Sequence, residues 1–179
     1  MKYITYLIVL LLIISCKTPE ARKPESVKTG SFIKESADRN KKLNEREYAL
    51  IEGIISKDTL NEYLASNSGF WYLYNTKVEK DTIQAGFGDL VNFNYNLKDL
   101  NGTTIYTAKE IGTRDYIMDK EELFTGLREG LKLMKPGETV TFLFPSQKAF
   151  GYYGDKNRIG TNVPLISQVT LNSIEKTEN

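Results

Sequence analysis

The chain of 179 residues contains no histidine. That removes every nucleophile system in which an imidazole is the base, and it removes the commonest zinc ligand. Cysteine occurs once, at Cys16, so neither an intramolecular disulfide nor a cysteine-based metal cluster can form. Charge of one sign is not in excess either. The formal net charge is +1, which is not the footprint of a nucleic-acid-binding protein. The one long apolar run, Tyr3 to Ile14, falls short of the ~20 residues that a membrane-spanning helix needs. There is no internal repeat and no low-complexity tract. What is left is a chain of ordinary globular composition, long enough for one domain with additions.

The apolar run has a cation before it, Lys2, and closes on Ser15-Cys16. A charged start, a short apolar core and a small residue before the cut describe a secretory signal over residues 1–15. Ile13-Ile14-Ser15-Cys16 is similar to a bacterial lipobox. That similarity implies acylation of Cys16, which becomes the first residue of the mature chain. Two or three acyl chains would hold the protein stably at a membrane of the cell envelope, facing the periplasm; the inner and outer membranes stay open. An uncleaved anchor, or a plain signal with an incidental cysteine, is the alternative. Without residues 1–15 the loss of Lys2 alone brings basic and acidic side chains into balance.

Residues 16–31 carry Pro19, Pro24 and Gly30 among charges and read as the lipidated cysteine and a solvated tether. Residues 32–68 read as a helical arm. Its basic cluster Arg39-Asn40-Lys41-Lys42 is either a solvated face or a surface attracted to anionic head groups or a partner protein. A helix is predicted over Glu45–Ser56, with Asn44 as N-cap and Tyr48, Ile51 and Ile55 on one side. A second helix is predicted over Thr59–Ala65, broken by Ser66-Asn67-Ser68-Gly69. Phe70 to Tyr74 is aromatic and strand-like.

The most informative stretch runs from Gly126 to Gly151. Leu127, Leu131 and Met134 recur at helical spacing, Pro136-Gly137 makes a turn, and Val140, Phe142 and Phe144 alternate along a strand. Pro145 then opens a loop that ends in Ala149-Phe150-Gly151. This order, with Gly126-Leu127-Arg128-Glu129-Gly130-Leu131 and Gly137-Glu138, resembles the FKBP-type peptidyl-prolyl isomerases. Gly88 to Tyr95 resembles that family's opening strand, Asp99-Leu100-Asn101-Gly102 its hairpin, and Ile159 to Ile166 the segment before its last strand. Further stretches, among them Phe32 to Ser36 and Ile159-Gly160-Thr161-Asn162, resemble the gliding-motility FKBP-type lipoproteins of Bacteroidetes.

The resemblance implies an α+β fold. An antiparallel half-barrel of about five strands, over residues 69–179, would wrap around a short helix from about Glu121 to Leu133, preceded by the helical arm. It also implies the reaction. Rotation about a prolyl amide faces a barrier of ~18–20 kcal/mol set by the partial double bond. Lowering it needs no acid, base, nucleophile, cofactor or metal. An apolar cleft that fits the twisted amide and strips water from its carbonyl is enough.

The site residues it implies are Tyr95, Tyr106, Leu123, Phe124, Leu127, Phe150 and Ile159. Several depart from the family pattern. Phe150 stands for a Tyr, Leu127 for a Trp, Ile105-Tyr106 for Phe-Asp, Ser167 for a Phe, and Arg114 falls where a pocket aromatic is expected. The implied role is a membrane-tethered isomerase that helps proline-containing exported polypeptides fold, those of the gliding and secretion machinery among them, with no nucleic acid and no metal involved. The alternative is a binding module or chaperone on the same fold with little isomerase activity.

Overall fold

Val140, Phe142 and Phe144 project to one side of strand β7 (Thr139–Phe144), as their alternation predicts, and all three are enclosed. The computed structural model describes residues 29–80 and 83–177. The chain divides into two units, Met1–Ala37 and Asp38–Asn179, and every strand among the described residues belongs to the second. The signal, Cys16 and the tether as far as Lys28 lie outside the described residues.

Around β7 the sheet is antiparallel throughout. Its strands are β1 (Leu64–Ala65), β2 (Trp71–Thr76), β3 (Leu90–Tyr95), β4 (Leu97–Lys98), β5 (Thr104–Tyr106), β6 (Arg114–Ile117), β7 and β8 (Leu165–Glu175), in the order β1-β2-β7-β8-β3-β6. The β4–β5 hairpin joins through Lys98 to Ile166 of β8. Five of these strands have four residues or more, which matches the expected half-barrel. Asp99 closes the hairpin turn: its Oδ1 accepts the N–H of Asn101 at 2.9 Å and of Thr103 at 2.8 Å.

Among the described residues three α-helices accompany the sheet: α1 (Thr29–Lys57), α2 (Ala108–Ile111) and α3 (Thr125–Leu131). α3 lies across the Phe142–Phe144 side of the sheet, so close that a Cβ at Gly126 or Gly130 would run into those two rings. Leu127, Leu131 and Met134 are fully enclosed in the resulting core with Phe70, Val91, Phe93 and Leu171. Met134 follows the helix in a tightened turn, its N–H bonded to Leu131 O at 3.2 Å.

The other side of β7 is covered too. Leu143 pairs in register with Trp71, which puts both on the face opposite Phe142. Tyr48 of α1 meets Trp71 edge-on at 5.1 Å, so α1 packs on that face, with Ile51 wholly buried. The result is a three-layer arrangement of α1, sheet and α3 within residues 38–177.

Four expectations need correction. Helix α1 begins at Thr29, so Asn44 is in its interior; there its amide donates to Gln147 Oε1 at 3.2 Å. No helix forms over Thr59–Ala65. The Asp58 carboxylate instead accepts from the Asn61 amide at 2.9 Å and the Tyr63 hydroxyl at 2.9 Å, a local side-chain closure that competes with helix, and Leu64–Ala65 becomes β1. The central helix spans Thr125–Leu131 rather than Glu121–Leu133, because Phe124 sits in an extended conformation at its N-cap (φ −62, ψ 143). The strand from Phe70 begins one residue later and runs on to Thr76.

Candidate active site

The end of β3, the approach to α3 and the loop after β7 converge on one aromatic cluster. Phe124, held extended before α3, packs its ring on Phe150 at 5.0 Å and on Phe144 at 5.4 Å. Phe150 sits between two 3₁₀ turns, Ser146–Lys148 and Gly151–Tyr153. Tyr95 ends β3 with its ring 5.6 Å from Phe93. Around these rings lie two adjoining cavities. The larger, about 520 Å³, is lined by Tyr95, Leu123, Phe124 and Phe150, with Arg114, Glu121, Glu122 and Arg128. The smaller, about 300 Å³, is lined by Tyr95, Leu97, Tyr106, Ile111 and Phe150, with Glu110, Arg114 and Asp155. Tyr95, Arg114 and Phe150 belong to both, so the two form one cleft.

Five of the seven residues expected at the site line this cleft: Tyr95, Tyr106, Leu123, Phe124 and Phe150. Ile159 is buried next to it, in a small cluster with Leu97 and Leu165 that packs on Tyr95, Tyr106, Phe124 and Phe150. Leu127 lines neither cavity and is enclosed in the main core. The backbone of Leu123 makes no hydrogen bond among the described residues, which leaves its N–H and C=O free for a peptide laid against it. Ser167 is fully buried, and its hydroxyl donates to Asn96 O at 2.7 Å. A separate groove of about 470 Å³ lies between α1 and the Asp99–Asn101 turn, but no aromatic ring lines it.

A carboxylate stands beside Tyr106 after all. The Tyr106 hydroxyl donates to Asp155 Oδ2 and accepts from the Asn157 amide at 3.0 Å. Asp155 Oδ1 accepts the N–H groups of Asn157 at 2.9 Å and Ile159 at 2.8 Å, which fixes the loop that buries Ile159. Gly154 makes this loop possible: its φ is +62, and a Cβ there would sit 2.1 Å from Ile159 O. Arg158 stacks over the Tyr106 ring at 4.8 Å and reaches Glu110 Oε1 at 3.0 Å and Ile105 O at 2.9 Å. Glu110 also closes a capping box with Thr107 at the start of α2. Tyr106 and Asp155 are 49 positions apart, and no spacing rule connects them.

The electrostatics keep both tyrosines protonated. Burial pushes the Tyr95 hydroxyl up, against the opposing pull of the Arg114 charge. The hydrogen bond to Asp155 pushes Tyr106 up, with burial adding to it. Burial works to raise Asp155, but the hydrogen bonds from Tyr106, Asn157 and Ile159 outweigh it and hold the carboxyl below its ordinary value. Glu110 is held down at about 2, chiefly by the Thr107 N–H and then by Arg158. Both carboxyls are depressed in the fold, so their contribution is complete above the ordinary carboxyl range and is lost as pH falls through the lowered values, which for Glu110 is about 2. The expected result in an NMR acid titration is that the Thr107 amide, bonded to Glu110, holds its native shift through pH ~4 and moves only below it, while the Ile159 amide follows Asp155 and moves at a pH below that of an ordinary aspartate. In an Arg158→Ala variant the Thr107 transition shifts to higher pH.

The comparisons with known proteins bear on the whole arrangement. Residues 81–172 match the sequence model of the FKBP-type peptidyl-prolyl cis-trans isomerases. The chain belongs to this family. A probable FKBP-type peptidyl-prolyl cis-trans isomerase, FkpA, of Neisseria meningitidis serogroup B is 31% identical over 91 residues, which is 51% of this chain and 33% of that protein. The chain thus matches about a third of the length of that relative. Among solved structures, a peptidyl-prolyl isomerase from Pseudomonas syringae pv. tomato has the same fold with a TM-score of 0.61 at 16% identity, covering 76% of this chain and 96% of its own. FkpA from Escherichia coli aligns at a TM-score of 0.59 and 18% identity, over 99% of this chain and 84% of its own.

Proposed function

We propose that the protein is a peptidyl-prolyl cis-trans isomerase, tethered to a membrane of the cell envelope through a lipid on Cys16, that assists the folding of exported polypeptides. The observation that carries the reading is the single cleft in which Tyr95, Phe124 and Phe150 meet, with Tyr106 and Ile159 beside them. A proline ring and its flanking amide fit such a cleft, and water is displaced from the carbonyl as the amide twists. The walls favour the less polar, twisted state over the planar one, which is what lowers the barrier. Tyr95 and Tyr106 contribute as neutral side chains, and no proton need move. The likeness of Ile159-Gly160-Thr161-Asn162 and the arm to the gliding-motility lipoproteins supports clients among the gliding and secretion machinery.

The test is isomerisation of an X-Pro peptide by residues 17–179, with Phe150→Ala and Tyr95→Ala alongside. Wild-type enhancement that falls tenfold or more in each variant, about 1.4 kcal/mol of transition-state stabilisation, is the expected outcome. No enhancement by folded protein would leave the cleft as a binding site and the chain as a chaperone. Mass spectrometry of the membrane-extracted chain tests the anchor: a mature N-terminus at an acylated Cys16 is expected, and an unmodified cysteine contradicts it.

A further inference from the structure

We propose that Arg114 makes the cleft selective for prolines flanked by an acidic side chain. The inference rests on the isomerase reading for its site and adds the class of substrate. Arg114 opens β6, two residues before Tyr116, and so shares the core-facing side of the strand with that buried ring. It pairs in register with Phe93, itself fully enclosed. An inward position at the mouth of an aromatic cleft therefore carries a guanidinium.

Among the described residues that guanidinium also has no ion-pair or hydrogen-bond partner. The other two arginines near the cleft have carboxylate neighbours: Arg128 Nε, buried and without a hydrogen bond among the described residues, lies 3.4 Å from Asp119 and 3.6 Å from Glu129, and Arg158 reaches Glu110 at 3.0 Å. No carboxylate of the described residues lies within ion-pair distance of Arg114, which is exposed at the junction of the two cavities. Two acids share the larger cavity. Glu121 accepts the Ile117 N–H at 3.3 Å, and Glu122 lines that cavity but not the junction. A side chain next to a proline seated between Tyr95 and Phe150 thus meets Arg114. The guanidinium fork matches a carboxylate with two parallel hydrogen bonds, and the apolar walls strengthen the attraction. The positive charge already acts inside the cleft, where it opposes the effect of burial on the Tyr95 hydroxyl.

The experiment uses the full chain in detergent and two sets of peptides, with Glu, Leu or Lys placed before the proline in one and after it in the other. The kcat/KM ratio of Glu to Lys is the readout, with affinity by calorimetry beside it. The expected ratio is about fivefold or more in at least one set, reduced by salt. Arg114→Gln should bring it close to one, and Arg114→Glu should invert it. Turnover of all peptides with equal Glu and Lys ratios in both sets overturns the inference and leaves the isomerase reading standing. Tighter binding of the Glu peptide without turnover, inverted in Arg114→Glu, upholds the inference and removes the isomerase reading. Equal binding without turnover removes both.

Discussion

Gly126→Ala is expected to lower stability by about 1–3 kcal/mol, the range for overpacking a core, although alanine is the better helix former by ~1 kcal/mol. The reason is contact. A Cβ at Gly126 would meet Phe144 Cδ1 at 2.5 Å and Lys148 O at 2.7 Å. Neither can yield alone. Phe144 is fully buried, stacked on Phe142 at 5.3 Å and packed by Phe124. The Lys148 carbonyl is backbone in the turn that leads to Phe150. Relief requires α3 to lift away from β7, which carries Phe124 with it and opens the cleft. Isomerase turnover is therefore expected to fall by more than the loss of folded protein explains. Gly53→Ala is the control: a Cβ there meets nothing within 4 Å, and inside α1 the change should stabilise by about 0.5–1 kcal/mol. Urea unfolding at unchanged m-value separates the two. Equal midpoints would mean that the α3–sheet contact is softer than its geometry implies.

How far the sequence discloses such contacts depends on their range. Period-2 and period-3.6 patterns located β7 and α3, since Val140, Phe142, Phe144, Leu127 and Leu131 all had to leave water on one side. That the helical arm expected from residue 32 is one continuous helix with that of Glu45–Ser56 was hidden for the converse reason. Residues 32–44 hold few apolar side chains at helical spacing, so nothing periodic marks them. The misread segment after Asp58 shows a local signal misleading in the other direction. Leu60, Tyr63 and Leu64 have helical spacing, yet Leu60 is 93% exposed and the Asp58 side chain closes the turn instead. In the cleft, the aromatic positions were legible only through resemblance, because a pocket wall and a core strand have the same composition. The Asp155 carboxylate beside Tyr106 was not legible at all: it reaches the site from the loop before Ile159, and the departure at Tyr106 reads as a loss until the two are seen together.

A second contact hidden in the sequence leads to the second large effect. Glu47 of α1 is 3% exposed, and among the described residues no cation pairs with it. Its two oxygens accept from Ser146 instead, the backbone N–H at 2.7 Å and the hydroxyl at 2.7 Å. Ser146 is itself buried and opens the 3₁₀ turn before Phe150, so its N–H has no partner within that turn. Glu47→Ala leaves a buried N–H and a buried hydroxyl unpaired and creates a void; the expected loss is about 2–4 kcal/mol. Glu47→Gln should cost less than about 1.5 kcal/mol, because the amide oxygen can accept the N–H while the Ser146 hydroxyl turns to accept from the amide nitrogen. The cleft should register the same order. The turn that Glu47 caps sets the position of Phe150, so the Gln variant should retain turnover and the Ala variant should lose it even at temperatures where it remains folded. Isomerase assays beside thermal unfolding of both variants check this. Equal losses in Gln and Ala would assign the effect to the charge itself rather than to the capped turn. The wider consequence is that a chain trimmed to the family-matched residues 81–172 would keep every ring of the cleft and lose the helix that holds one of them in place.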